Sequence, residues 1–124
     1  KHWKIKKIHN FNERKVFHYL LKSKIFLSFT HFEGLGMPPI EAALAGNKII
    51  GYTGEGGKEI WKKPLFTEIK NGNILDFVNE IIINIKKKHH LKKINLQRKM
   101  LAKKFSIINE KNNLIKMIKK IRLK

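Results

Sequence analysis

The chain has 124 residues, 42% hydrophobic and 10% aromatic, with 28 Lys and Arg against 9 Asp and Glu for a formal charge of +19. That length suits one domain with one modest core and excludes two independent ones; the apolar content excludes a chain that stays disordered. With no cysteine, disulfides, thiolate metal sites and cysteine nucleophiles are excluded too.

Taken in chain order, Asn12 predicts the N-cap of a helix in which Val16, Phe17, Leu20 and Leu21 recur at helical spacing. "KIFLSFT", Lys24 to Thr30, is short, β-branched and aromatic, and predicts a buried strand. "FEGLGMPPIEAALAGN", Phe32 to Asn47, follows as a loop and a short helix, with Pro38 and Pro39 at its start and Gly46 at its end. "KIIGYT", Lys48 to Thr53, is a second buried strand, followed by the turn "GEGG", and "LFTEI", Leu65 to Ile69, is a third. Strand, helix and strand in so short a span predict a βαβ unit in a parallel sheet.

Asn71-Gly72 predicts a turn, and Asn73 the cap of a helix reaching about Lys88. Beyond it the sequence is helical and basic, with Leu91, Ile94, Leu101 and Phe105 on one face. Ser106 predicts the cap of a last helix that turns Leu114, Ile118 and Ile121 inward. The expectation is a single α/β domain over 1–124, with a core at about 12–88 and a helical tail at about 89–124.

The loop carries the chemistry. Gly34 and Gly36 let a ligand approach the backbone, and free amides at the next helix N-terminus, with the helix dipole, suit a phosphate. Open α/β sheets bind ligands at the carboxyl ends of their strands, where this loop lies. Two carboxylates there, Glu33 and Glu41, accept hydrogen bonds from neutral hydroxyls. The competing account is structural: Glu41 in a first helical turn is favoured by the dipole by about 0.3–1 kcal/mol, and the glycines are turn residues. Spacing alone leaves the two even.

The order strand, Glu-Gly-x-Gly-x-Pro-x-x-Glu, small-residue helix, Gly, strand resembles the donor-binding core of GT-B glycosyltransferases. It looks in particular like the retaining group called glycosyltransferases group 1, whose E-x(7)-E motif is matched by Glu33 and Glu41, eight positions apart. The resemblance is clearest from Lys24 to Gly57. It implies a partial Rossmann-like domain, the C-terminal half of a two-domain enzyme. The parent would transfer a sugar from a nucleotide-sugar with retention of configuration and no obligatory metal or cofactor. It implies that Glu33, the catalytic candidate, contacts donor-sugar hydroxyls, that Glu41 accepts from the ribose, and that the amides of Gly34, Leu35, Gly36 and Met37 lie against sugar and diphosphate. Gly56 and Gly57 are weaker donor candidates, since the spacing to Glu59 is one residue short of the family's pattern. The acceptor domain and the basic pair that neutralises the diphosphate lie outside this sequence, so the chain alone is expected to be inactive.

The other features are less specific. "GYTGEGGK" fails as a phosphate-binding Walker loop, because Tyr52 stands where the first Gly belongs and Glu59 follows Lys58. The histidines are scattered and no metal site is expected; His31, two residues before Glu33, is a candidate ligand contact against a solvated loop histidine. The charge favours anionic partners, but its excess is nearly all lysine beside abundant Ile and Asn, the composition an A- and T-rich genome yields. Without interleaved aromatics or a reading motif, no specific nucleic acid is expected. A basic face beside an apolar stripe suits an anionic membrane surface, set against a stripe packed on the sheet. The alternative to the enzyme reading is thus a basic, non-catalytic nucleic-acid-binding or membrane-surface module. Lys1 to Lys24 is charged throughout and no apolar run approaches the ~20 residues that span a bilayer. The expected location is cytoplasmic, at most peripheral to the inner face of the cell membrane. The opening "KHWKIKKIHNF" lacks an initiator Met, so a piece of a longer protein is expected.

Overall fold

The computed structural model describes residues 2–31, 34, 36–88 and 91–122. After an extended N-terminal stretch, α1 (Glu13–Lys22) begins as predicted: Asn12 stays extended and its Oδ1 accepts the Lys15 amide at 2.9 Å. Leu20 is its buried residue and Val16 packs partly against the core, but Phe17 and Leu21 are exposed.

Three strands follow, β1 (Ile25–Ser28), β2 (Lys48–Gly51) and β3 (Phe66–Glu68), all parallel in the order β1-β2-β3. The crossover from β1 to β2 is α2 (Met37–Leu44), which completes the predicted βαβ unit. The central strand β2 hides Ile49 and Ile50 completely. β1 departs from the expected buried strand: Ile25, Phe26 and Leu27 are only half-buried, because an edge strand has a neighbour on one side alone.

Side chains that alternate along a strand face opposite sides, and each face has its own helices. Ile49 and Phe66 share one face with Leu20 of α1, with Ile40, Ala42 and Ala43 of α2, and with Ile60 and Trp61 of the β2–β3 connection. Ile50 packs on the other face with Tyr52, Ile69 and Phe77. Phe77 belongs to α3 (Ile74–Lys86), whose cap is the predicted Asn73, accepting from the Asp76 amide at 3.1 Å. The result is a three-layer α/β arrangement.

α4 (Leu91–Lys104) is part of that core: Ile94 and Leu101 are buried against the first face, while Leu91, expected inward, is exposed. Two polar side chains clamp it there. Gln97 Oε1 accepts the Leu65 amide at 3.0 Å and its Nε2 donates to the Lys62 carbonyl at 2.6 Å. Arg98 Nε donates to Ala43 O, near the C-terminus of α2, at 2.7 Å, where a cation also meets the negative end of the helix dipole. Burial lowers the Arg98 pKa from its ordinary value.

α5 (Ile107–Arg122) is capped by Ser106, whose Oγ accepts the Asn109 amide at 3.1 Å. The expected inward face is overturned: Leu114, Ile118 and Ile121 are 49%, 48% and 65% exposed. The three core layers are already closed by α2, α3 and α4, so the stripe of α5 finds no apolar surface.

Candidate functional site

Parallel strands end together, and here they end on a cleft of about 590 Å³ at the carboxyl edge of the sheet. It is lined by His31 after β1, by Tyr52 to Glu55 and Lys58 after β2, by Glu68 to Asn71 at the end of β3, and by Asp76 in the first turn of α3. Every strand contributes, which is the arrangement that makes this edge the ligand end of open α/β sheets.

The backbone at this edge is shaped by Gly51. Its φ is 148°, and a Cβ there would stand 2.0 Å from the Ser28 carbonyl oxygen. The same contact is closed by hydrogen bonds: the Tyr52 amide donates to Ser28 O at 2.9 Å and Ser28 Oγ donates to Tyr52 O at 3.2 Å. Past Tyr52 the chain turns through Glu55 at φ 70°, a left-handed conformation sparsely used by non-glycine residues. The Glu55 amide donates to Thr53 Oγ1 at 3.2 Å, and the Glu55 carboxylate pairs with Lys58 Nζ at 3.1 Å. Both members of that pair are more than half exposed, so solvent screens it.

An aromatic group backs the cleft. The Tyr52 ring lies edge-on to Phe77 at 5.4 Å and 5.5 Å from the His31 ring, and Phe29 stacks on Phe77 at 4.7 Å. Tyr52 and Phe77 are buried core residues, and Tyr52 is the one whose ring neighbours His31 on the cleft wall.

The motif residues fall as follows. Glu33 and Leu35 lie outside the described residues. Gly34 is exposed, with nothing within 4 Å of the position a Cβ would take. Gly36 is the N-cap of α2 and keeps extended dihedrals, Met37 is the first helical residue, and the prolines take the next two positions. One correction follows. Because the helix starts at Met37, Glu41 sits in its second turn rather than the first, and the dipole argument for it weakens. Pro38 and Pro39 stand at the helix start as expected and carry no N–H. Glu41 is exposed and does not line the cleft; among the described candidates, His31 does.

Gly57 is the left-handed N-cap, φ 65°, of a single 3-10 turn at Lys58–Ile60, and Gly56 is half-buried beside it. Neither lines the cleft, whereas Lys58 does. Sequence reasoning passed over Tyr52, Glu68 and Asp76. The available signal was their position at predicted strand ends and a helix start, the places that parallel topology brings to one edge. Among the described residues no cluster of three His, Asp or Glu could hold a metal ion, and no helix is long and apolar enough to cross a membrane. Comparison with protein-family models, curated proteins and solved structures gives no match.

Proposed function

We propose that this chain is the donor-binding half of a retaining glycosyltransferase that uses a nucleotide-sugar, of the kind the E-x(7)-E motif resembles. The observation that carries the reading is positional. β1 ends at the carboxyl edge of a parallel sheet, the crossover helix α2 carries Glu41, and His31, after β1, is on the wall of the cleft. A diphosphate-linked sugar offers hydroxyls and anionic oxygens together. The cleft has carboxylates for the first, Glu68 and Asp76, and cations for the second, Lys58 and Lys70. In this proposal Glu33 acts on sugar hydroxyls, the amides of Gly34, Leu35, Gly36 and Met37 face the sugar and diphosphate, and Glu41, outside the cleft, accepts from a ribose that extends beyond the cleft's rim.

Transfer also requires neutralisation of the departing diphosphate and a domain for the acceptor, both assigned to a second half. The 124-residue chain is accordingly a binder of donor and not a catalyst by itself. Calorimetry with UDP- and GDP-sugars tests this, supported by amide shifts of Gly36 and Met37. Glu41→Ala is expected to weaken binding by roughly tenfold or more, the loss of hydrogen bonds to a charged acceptor, with an unchanged melting temperature because the side chain is exposed. Absence of binding by both the chain and a two-domain protein that contains it would falsify the proposal, as would full affinity in Glu41→Ala.

A further inference from the structure

We propose that Glu55 is an internal competitor for the anionic part of the ligand, holding Lys58 until a diphosphate oxygen takes its place. The proposal rests on the donor reading above for the identity of that ligand, and it concerns binding of the donor rather than transfer. Glu55 and Lys58 both line the cleft, and the Glu55 carboxylate lies 3.1 Å from Lys58 Nζ. A carboxylate oxygen and a phosphate oxygen make the same demand of an ammonium, since each is an anionic acceptor of its N–H groups. Glu55 beside Lys58 therefore takes up part of that donor capacity and repels an arriving anion.

The charges of the cleft single out Glu55 as the group that moves. Among the described residues three carboxylates line it, Glu55, Glu68 and Asp76, against two ammonium groups, Lys58 and Lys70. Asp76 is tied to the start of α3, where its Oδ2 accepts from Asn73 Nδ2 at 2.8 Å, and Glu68 ends β3. Glu55 instead stands on a turn, with its side chain 58% exposed and free to swing into solvent. That turn is built for glycine: Gly54 and Gly57 have φ of 73° and 65°, and Glu55 shares their left-handed conformation at 70°. A carboxylate there costs backbone strain, and strained residues gather at ligand clamps and switches. The exposed pair is weak, so a diphosphate, with more negative charge than one carboxylate, displaces it.

The test is calorimetry of the whole chain with inorganic diphosphate at low salt, on the wild type, Glu55→Gln, Lys58→Met and the double variant. Glu55→Gln is expected to tighten binding by roughly two- to fivefold, the range of an exposed ion pair. Lys58→Met is expected to weaken it by roughly tenfold or more, and Glu55→Gln to change nothing further in that background. Both side chains are exposed, so unaltered circular dichroism is expected. Glu55→Asn repeats the measurement with a residue that tolerates the left-handed region. Unchanged affinity in both Glu55 variants overturns the proposal. So does equal tightening with and without Lys58, which marks a general change of charge, and so does full affinity in Lys58→Met, which marks binding elsewhere on a polycation. The two readings fail separately. Coupled binding of diphosphate without binding of UDP- or GDP-sugars upholds the Glu55–Lys58 exchange and sinks the donor reading; absence of diphosphate binding beside intact donor binding overturns the exchange alone.

Discussion

At Gly51 the chain tolerates no side chain. An added Cβ would meet Ser28 backbone atoms at 2.0 to 2.8 Å, at a φ that L residues rarely adopt. Gly51→Ala is expected to cost at least about 2 kcal/mol in urea denaturation, because backbone and not a flexible tip must move. The strands would separate at the cleft end, so a stable Gly51→Ala protein with full donor binding would contradict the geometry argued here. At the other end of β2, Lys48 Nζ donates to Asn84 Oδ1. Its pKa is lowered, first by burial and then by Lys87, with Glu80 opposing and Lys63 adding to the fall. The folded chain therefore loses this proton at a lower pH than the unfolded chain. Below the lowered pKa both forms are charged and the full cost of burying the ammonium is present. Between the lowered and the ordinary lysine pKa the unfolded state binds more protons, so stability rises with pH. Lys48→Met is expected to lack that alkaline rise, so the difference between the two stability curves changes with pH; parallel curves would refute the assignment.

At the scale of elements, the helices are joined by side chains that satisfy carbonyls at their ends. Asn47 is wholly buried. Its Nδ2 donates to Leu20 O of α1 at 2.8 Å and to Ala42 O of α2 at 3.0 Å, while its Oδ1 has no partner among the described residues. Asn47→Ala leaves the Leu20 and Ala42 carbonyls without this donor and is expected to destabilise by about 2 kcal/mol; thermal unfolding measures it, and an unchanged midpoint would count against the role. The caps Asn12, Asn73 and Ser106 were legible in the sequence because capping is local: the acceptor oxygen and the amide it satisfies lie three residues apart. Asn47, Gln97 and Arg98 were not, since their partners are 27, 32 and 55 residues away.

Across the whole molecule, charge is the dominant unbalanced quantity. Set against +19 are two ion pairs among the described residues, Lys58–Glu55 and Lys63–Glu80. Self-repulsion of this kind destabilises the compact state. Raising NaCl from about 10 to about 200 mM shortens the screening length from roughly 30 Å to under about 10 Å. The melting temperature is expected to rise across that range; a fall would mean that the two ion pairs outweigh the repulsion.

The sequence by itself determined the element types and the parallel βαβ unit, because hydrophobic period, turn residues and caps all act within a few positions. It also determined the composition of the last helix, though not its fate. Tertiary structure decided which strand is central, that α4 belongs to the core and that α5 stands outside it, since each depends on how much apolar surface other elements leave uncovered. The same holds for the site. His31 and the carboxyl-edge loops were readable, but Tyr52, Glu68 and Asp76 reach one cleft only through the register of β1, β2 and β3. Glu41 fell outside that cleft because α2 starts at Met37 and carries it one turn further along the helix.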